Sequence, residues 1–531
     1  MPKFILIILL LTAIAVQAQQ TSAPKGGDDS PAAAGAVACS LIADLTGQLR
    51  PIPDDFIGLS FESSQLLAKQ DGWHEFSAEN RPLQTLLRTL GIRSLRFGGN
   101  LADSPTSPDP LTADIDPMFE LARSLDAQVI YTLRFSQGGN RRPFLAADPA
   151  KGAQLSRHIT DNYSDCLAAF TIGNEPDMYF RHLEERTSRE KKLKLSKAQL
   201  DRNAYLNYAD AWRKFANAIV TTNPRARFNG PSSTGRPIWA KWFIQDFSNN
   251  DRIAFFSNHY YPGGSAKDGT AHEQLASMLS SEWHERYSKY LAGNGFTATG
   301  KRPFRIEECN SFYYGGAPGV SDAFGSALWA LDFAHWFAAR GCAGINFHAS
   351  TASRHGDEFL FYTPFSRNST HSARAPLDSS DSGYFTHPVG YAALMFKLGG
   401  NGRSVPLDVK VAGFNLTAHA VAGRDGNLYV TLINKEYDAA ARNAPVRFSI
   451  KGGTLKGTGE CLTLIGPSNE VRAKSGITLG GASVTESGTW TGKWDALPAT
   501  ATGEEGAILV NVPPASAMLL KFPLQVSKKS H

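Results

Sequence analysis

Between Phe56 and Ala349 the chain alternates eight short apolar runs with amphipathic stretches, and this rhythm limits the folds open to it. The runs are Phe56–Glu62, Ser94–Asn100, Ala127–Phe135, Leu167–Glu175, Arg227–Ser232, Ile253–Tyr261, Phe304–Asn310 and Cys342–Ala349. Between them, segments such as Arg81–Leu90, Met118–Leu125, Tyr205–Val220 and Phe324–Ala339 carry apolar residues at helical spacing. Apolar strands separated by helices require a parallel sheet, since each crossover helix returns the chain to the same edge and covers a face. Eight such units predict a closed (β/α)8 TIM barrel. A doubly wound open sheet is the competing arrangement. It would carry a phosphate loop near its first strand, and Gly98-Gly99-Asn100 does not supply GxGxxG.

The texture changes after a last helix over Pro388–Leu398. Val409–Val421, Asn427–Ile433, Val446–Ile450, Cys461–Leu464, Val484–Trp490 and Ala507–Val512 read as short strands between Gly-, Asp- and Asn-rich turns. The expected organisation is a barrel over 53–400 and an all-β sandwich over 401–526, with the strand-like segment 38–52 joining that sandwich. Ahead of it, Lys3, the apolar run Phe4–Val16 and the small-residue exit at Ala18 read as a signal peptide over residues 1–18. Residues 19–37 are poor in large apolar groups and read as a disordered leader. A secreted or periplasmic protein follows as the expectation, with no membrane association after cleavage.

Charge excludes more than it suggests. With 54 basic and 49 acidic residues and no clustered Arg/Lys stripe, nucleic acid is not an expected partner. Five cysteines, Cys39, Cys166, Cys309, Cys342 and Cys461, without CxxC spacing argue against a disulfide scaffold or zinc cluster. Cys39 and Cys461 are the one pair that could meet, if the first strand enters the sandwich. The 13 histidines show no HExxH, so no metal site is expected, and no cofactor.

Two segments carry the chemistry: Thr171-Ile-Gly-Asn-Glu-Pro-Asp177 and Phe304-Arg-Ile-Glu-Glu-Cys-Asn310. Each is an apolar strand ending in a carboxylate beside an amide. In a barrel, the fourth and seventh strands end at the same face, where such folds place their active sites. Paired carboxyl groups roughly 5–5.5 Å apart are the equipment of a retaining glycosidase, one protonating the leaving oxygen and the other attacking the anomeric carbon. Glu175 is one candidate, with Asn174 placed to bond a sugar hydroxyl and Pro176 ending the strand. For the other, strand alternation allows only one of Glu307 and Glu308 into the cleft. Phe304, Ile306 and Glu308 share a face, which favours Glu308, with Glu307 the alternative.

The runs Leu95-Arg-Phe-Gly-Gly99, Gly173-Asn-Glu-Pro-Asp177, His259-Tyr-Tyr261 and Glu308-Cys-Asn-Ser-Phe-Tyr-Tyr-Gly-Gly-Ala-Pro318, followed by Ser321-Asp322, resemble glycoside hydrolase family 79, which includes heparanases and bacterial β-glucuronidases. The Asn-Glu-Pro element is shared across many retaining barrel glycosidases; the spacing after Glu308 is narrower. The resemblance implies Glu175 as acid/base and Glu308 as nucleophile. It implies that Gly315 and Gly316 offer backbone N–H groups to a uronate carboxylate, with Tyr313 adding a hydroxyl and Tyr362 the candidate second tyrosine. Glu62 corresponds to an acidic residue that contacts sugar hydroxyls in that family and Asn100 sits where a polar contact is expected, with a supporting place at the rim the alternative for either. His259 and Tyr260 follow the sixth strand and read as supports of the nucleophile. His348 has no evident counterpart.

The expected function is therefore a retaining β-glucuronidase acting on a glucuronic-acid-containing glycan or glycoconjugate. The alternatives are a retaining barrel glycosidase for neutral sugars, an endo-acting heparanase-like enzyme, and a non-catalytic polysaccharide-binding protein.

Overall fold

The computed structural model describes residues 39–69, 72–296, 302–352, 354–355, 358–367, 383–456, 458–497, 500–501 and 507–526. The expected signal peptide over 1–18 and leader over 19–37 lie outside them. The chain opens with β1 (Cys39–Asp44) and a two-residue strand, β2 (Arg50–Pro51). Eight parallel strands then close on themselves: β3 (Ile57–Glu62), β4 (Ser94–Gly98), β5 (Gln128–Leu133), β6 (Leu167–Ile172), β7 (Phe228–Pro231), β8 (Ile253–Tyr260), β9 (Phe304–Cys309) and β10 (Ile345–His348). Closure comes from β10 pairing with β3, Ile345 opposite Ile57.

Ten helices are described: α1 (Arg81–Leu90), α2 (Thr112–Ser124), α3 (Pro149–Tyr163), α4 (Pro176–Glu190), α5 (Lys197–Thr222), α6 (Pro237–Phe247), α7 (Ala271–Leu279), α8 (Glu282–Asn294), α9 (Gly325–Ala338) and α10 (Pro388–Gly399). Their starts are written locally. Asn80 caps α1 by accepting from the Leu83 N–H, and Ser196 and Thr270 form capping boxes with Gln199 and Glu273. Five of them have proline in the first turn, where the missing N–H costs nothing. The charged stretch Arg181–Arg202 is a helical hairpin of α4 and α5, joined across it by Arg181–Asp201 and Glu184–Asn203 contacts.

Strand alternation sorts the barrel residues into two environments. Leu95, Phe97, Val129, Tyr131, Phe170, Phe228, Phe256, Ile306 and Phe347 face the helices and join the main core. Inward residues form an apolar layer below a polar one. Ile130, Ala169 and Phe255 pack a separate apolar layer, and nearby Ser94 donates to Asn346 across the barrel. Above them lies a polar layer of Ser60, Arg96, Thr171, Asn229, Ser257 and Glu307, all buried. This layer is the floor of the mouth.

The C-terminal strands form two sheets. In the smaller, β1 runs antiparallel to Leu407–Val411 and parallel to Ala444–Lys451, which pairs in turn with Ile508–Val512. In the larger, Leu416–Gly423, Asn427–Asn434, Ser516–Val526 and Glu460–Ile465 are adjacent. Between the sheets Leu41, Val430, Val446, Phe448, Val510 and Leu520 form a second core. The other face of the larger sheet, through Ile433, Leu464 and Leu519, belongs to the barrel core. That is why all fourteen residues of α9 are buried, although the expected pattern was amphipathic. Asp332 on α9 seals the junction: its carboxylate accepts from Lys435 Nζ at 2.5 Å and lies 2.8 Å from His284 and His419.

The sequence expectations differ from the fold at several points. Val409–Val421 is two strands, Leu407–Val411 and Leu416–Gly423. Val484–Trp490 is not a strand but a loop, anchored where the Val484 N–H donates to the Tyr391 hydroxyl. Ser516–Val526, which pairs with Asn427–Asn434 and Glu460–Ile465, was not anticipated; its Ala-Met-Leu-Leu-Lys run lacks β-branched residues. Cys39 and Cys461 are both buried and both free. They sit on strands of different sheets, packed as small apolar groups.

Candidate active site

β6 ends at Ile172 and the chain turns sharply upward. Gly173 has φ +76°, and Glu175 itself lies in the left-handed region at φ 48°, ψ 53°. A non-glycine residue pays about 1–3 kcal/mol to stay there. Two bonds hold it: the Glu175 N–H donates to the Ser232 carbonyl at 3.0 Å, and its own carbonyl accepts from Met178 at 3.0 Å. The twist directs the carboxylate away from the N-terminus of α4, which it does not cap, and into the mouth.

β9 supplies the facing group through a bulge. On one side Asn258 pairs with Ile306 and His259 with Glu308; on the other, Ile345 pairs with Ile306 and Phe347 with Cys309. One extra residue is thus accommodated in β9, and alternation is suspended across Glu307 and Glu308. Both side chains point inward. This corrects the expectation that only one could: Glu307 lies in the buried floor and Glu308 above it at the mouth.

One oxygen of Glu175, one of Glu308 and a ring nitrogen of His259 lie within 4.8 Å of one another. The Glu175 and Glu308 side chains are 16% and 8% exposed, so the pair is reachable yet largely dry. Arg96, wholly buried on β4, donates from Nη1 to Glu308 Oε2 at 2.6 Å and from Nη2 to Asn174 Oδ1 at 2.7 Å. The Tyr261 hydroxyl donates to Glu308 Oε1 at 2.9 Å, and His348 Nδ1 stands 3.7 Å from Oε2. His259 Nδ1 is 3.1 Å from Glu175 Oε1.

These neighbours set the two acids apart. Burial pushes Glu308 up, but His259, His348, Arg96 and the Tyr261 hydroxyl outweigh it and hold the carboxyl well below the usual range. Burial also pushes Glu175 up, and there it prevails over the His259 contact, with Glu308's charge adding to the rise. Burial disfavours charged His259, yet Glu308 and the bond to Glu175 raise it above an ordinary imidazole. The set is one carboxyl inclined to hold a proton beside one inclined to lose it. Glu175, His259 and Glu308 are also the one grouping among the described residues with metal-ligand spacing. Arg96 already supplies the positive charge against Glu308, which suits a hydrogen-bonded acid set rather than an ion cage.

The other expected residues fall into three groups. Asn174 is 1% exposed, held between Arg96 and the Asn100 side chain, which its Nδ2 meets at 3.2 Å. Asn100 is exposed at the rim and also accepts from Asn140. Glu62 is buried and turned onto the chain, accepting from the N–H groups of Asn100 at 3.1 Å and Leu101 at 2.8 Å.

The glycine loop is built around its own motif. Gly315 and Gly316 have φ of +82° and +89°, and a Cβ on Gly316 would lie 2.9 Å from both Ser321 and the Tyr362 ring. Ser321 accepts from the Ala317 N–H at 2.9 Å, and Asp322 from the Gly319 N–H at 2.6 Å. Among the described residues neither glycine N–H meets a protein acceptor. Tyr313 is 40% exposed, its ring against that of Tyr261 at 6.4 Å, while Tyr362 is buried 5.9 Å from His348.

Tyr260 is a correction. Its ring stacks on Tyr290 at 3.9 Å and against Phe333, in the helical layer rather than the mouth. Strand parity explains the exchange: His259 points in, Tyr260 out, and Tyr261 returns to the site. The same count applied to Phe97 and Phe347, both outward, would have flagged Arg96 and His348. Asp103 was also missed. Fully buried, it accepts from the N–H groups of Phe135, Ser136 and Asn174, which ties two strand ends together.

A closed barrel with two unlike carboxyls facing each other at its mouth is the frame on which glycoside hydrolases of the paired-acid type are built. Residues 418–519 match the glycosyl hydrolase family 79 C-terminal beta domain. A β-glucuronidase of Neurospora crassa is 24% identical over 363 residues, covering 60% of this chain and 61% of that protein. One of Aspergillus niger is 28% identical over 204 residues, 34% of each chain. The chain thus aligns with less than two thirds of the length of either relative. The family 79 model matches the C-terminal β region, and the similarity to the two fungal β-glucuronidases extends over part of the chain. Among solved structures, a 4-O-α-L-rhamnosyl-β-D-glucuronidase from Fusarium oxysporum 12S superposes with a TM-score of 0.65 at 17% identity, covering 91% of this chain and 99% of that one. A GH51 arabinofuranosidase from Xanthomonas axonopodis pv. citri gives 0.60 at 14% identity, covering 92% and 100%. At those identities the likeness is one of fold.

Proposed function

We propose that this protein is a retaining β-glucuronidase that releases terminal β-linked glucuronic acid from a glycan or glycoconjugate. The observation that carries the reading is the placement of Glu175 and Glu308 with oxygens within 4.8 Å. That spacing suits direct attack on the sugar and leaves no room for the intervening water of an inverting enzyme. Glu308, kept ionised by Arg96 and Tyr261, attacks C1 while protonated Glu175 delivers its proton to the departing oxygen. Loss of the Glu308 charge on forming the ester lowers Glu175's hold on a proton, and Glu175 then takes one from the incoming water. The Asn174 amide is placed for the 2-hydroxyl. The N–H groups of Gly315 and Gly316, with Tyr313, receive the uronate carboxylate as a small backbone nest. The match to the two fungal β-glucuronidases supports this choice of sugar.

Aryl β-glucuronide is expected to exceed aryl β-glucoside in kcat/KM by at least about 100-fold, since a site built for a carboxylate strands its donors when offered CH2OH. NMR should show the β-anomer of glucuronic acid first. A first-formed α-anomer, or equal rates on the two glycosides, would overturn the reading.

The same assay across pH should give a bell. Its acid limb reports Glu308 and lies below the ordinary carboxylate range; its alkaline limb reports Glu175 and lies above it. Activity therefore falls as pH rises through the raised value, because Glu175 must begin each cycle protonated. A profile with an alkaline limb at or below an ordinary carboxyl would contradict the assignment. Export to the periplasm or beyond the cell is part of the proposal, supported by the Lys3-to-Ala18 pattern, and a mature protein beginning at Gln19 is its check. Among the described residues no helix is long and apolar enough to cross a membrane.

A further inference from the structure

Glu307 has no part in the chemistry above, yet the chain surrounds it with care. It is fully buried. Ser232 and Ser257 donate hydroxyls to Oε1, the latter at 2.9 Å, and the Asn229 amide donates to Oε2 at 2.6 Å. Thr171 Oγ1 stands 3.3 Å from Oε2. An amide nitrogen can only donate, and a shell of donors suits a carboxylate rather than a carboxylic acid. With Ile306 turned to the helices, alternation alone carries Glu307 inward, and the bulge brings Glu308 in beside it.

Two nitrogens of the site have no hydrogen-bond partner among the described residues, Arg96 Nε and His259 Nε2. Both face Glu307, at 3.9 Å from Oε2 and 4.0 Å from Oε1. These are ion-pair distances, too long for hydrogen bonds. The opposite ends of the same two side chains touch the catalytic pair: Arg96 Nη1 on Glu308, and His259 Nδ1 on Glu175. One buried carboxylate lies at the root of both contacts.

We propose that Glu307 is a positioning residue whose buried charge holds His259 against Glu175 and Arg96 against Glu308, and biases the whole cluster toward retaining protons. The inference rests on the reading of Glu175 and Glu308 as acid/base and nucleophile. The charged and titratable side chains facing Glu307 are Arg96 from β4 and His259 from β8, with Glu308 next to it on its own strand; Glu175 lies beyond His259, whose Nδ1 it meets. The hydroxyls of Tyr208 on α5 and Tyr290 on α8 also feel its charge. A negative neighbour raises the proton affinity of acid and imidazole alike. Removing it therefore lowers the proton affinity of Glu175, His259 and Glu308 together.

In Glu307→Gln, both limbs of the kcat/KM profile should move to lower pH, by about one unit for a charge at this range. Glu307→Asp, which keeps the charge, should leave the limbs in place whatever it does to kcat. A Gln variant whose limbs coincide with the parent's, at any rate, overturns the proposal, because a purely structural role would change the rate without the pH dependence. Where Glu307→Gln does not fold, nitrogen-15 histidine NMR of the unmodified protein decides. His259 should be an imidazolium at neutral pH, and a neutral ring overturns the proposal. The NMR measurement needs no substrate. A protein inactive on glucuronides but with charged His259 would refute the choice of sugar while leaving the pairing of Glu307 with His259 in place.

Discussion

Glu308→Gln is expected to lose roughly 10^5-fold or more in turnover of an aryl β-glucuronide, the scale on which removal of a nucleophile is felt. The substitution is nearly isosteric, and the mouth can absorb it. The amide oxygen can still accept from Arg96 Nη1, and the amide nitrogen can donate to the Tyr261 hydroxyl, which turns from donor to acceptor. The fold should therefore survive, and a circular dichroism spectrum and melting curve close to the parent's would show that the loss is chemical. Residual activity within tenfold of the parent would remove Glu308 from its role and return Glu307 as the candidate, against its burial in the floor.

Arg96→Met should be the most damaging single change to the framework of the site. The guanidinium is the only arginine or lysine cation paired with Glu308 among the described residues, and it reaches Asn174 and Ser60 in the same span. Methionine fills similar space but leaves Glu307 and Glu308 facing each other without that charge. Breaking a buried pair on one side typically costs 3–5 kcal/mol, so urea unfolding should show a loss of about that size. The sign on catalysis also follows. With Arg96 gone Glu308 is less strongly held ionised, so the acid limb of kcat/KM should rise toward the ordinary carboxylate range. Unchanged stability together with an unmoved acid limb would show that Arg96 is a bystander.

The two variants probe different links. Glu308→Gln removes a reacting atom and keeps its surroundings; Arg96→Met keeps the atom and removes what tunes it. Glu307→Gln acts one layer deeper and shifts the acid limb in the opposite direction from Arg96→Met. A cation and an anion on the same pair of carboxyls must have opposite effects on proton affinity.

Much of the site was legible because its strongest signals are local. Asn174 and Glu175 stand at a strand end before a proline, and Gly315-Gly316 with Ser321-Asp322 is a loop whose internal bonds are written in its own spacing. The misses share a different character. Arg96 meets Glu308 across 212 positions and Asn174 across 78. Tyr260 was chosen over Tyr261 because the alternation applied to β9 was not counted along β8. On β9, where it was counted, a bulge suspended it.

The sequence alone determined the elements and the carboxyl-bearing strand ends, since propensity, periodicity and turn chemistry act over a few residues. It could not determine which charge lies beside which, because that depends on strand register around a closed barrel and on one extra residue in β9. Only the tertiary structure decided that two adjacent glutamates both enter the barrel, one at the mouth and one in the floor. Only there do Arg96, His259 and His348 converge from three strands to make one carboxyl readily ionised while its partner keeps its proton.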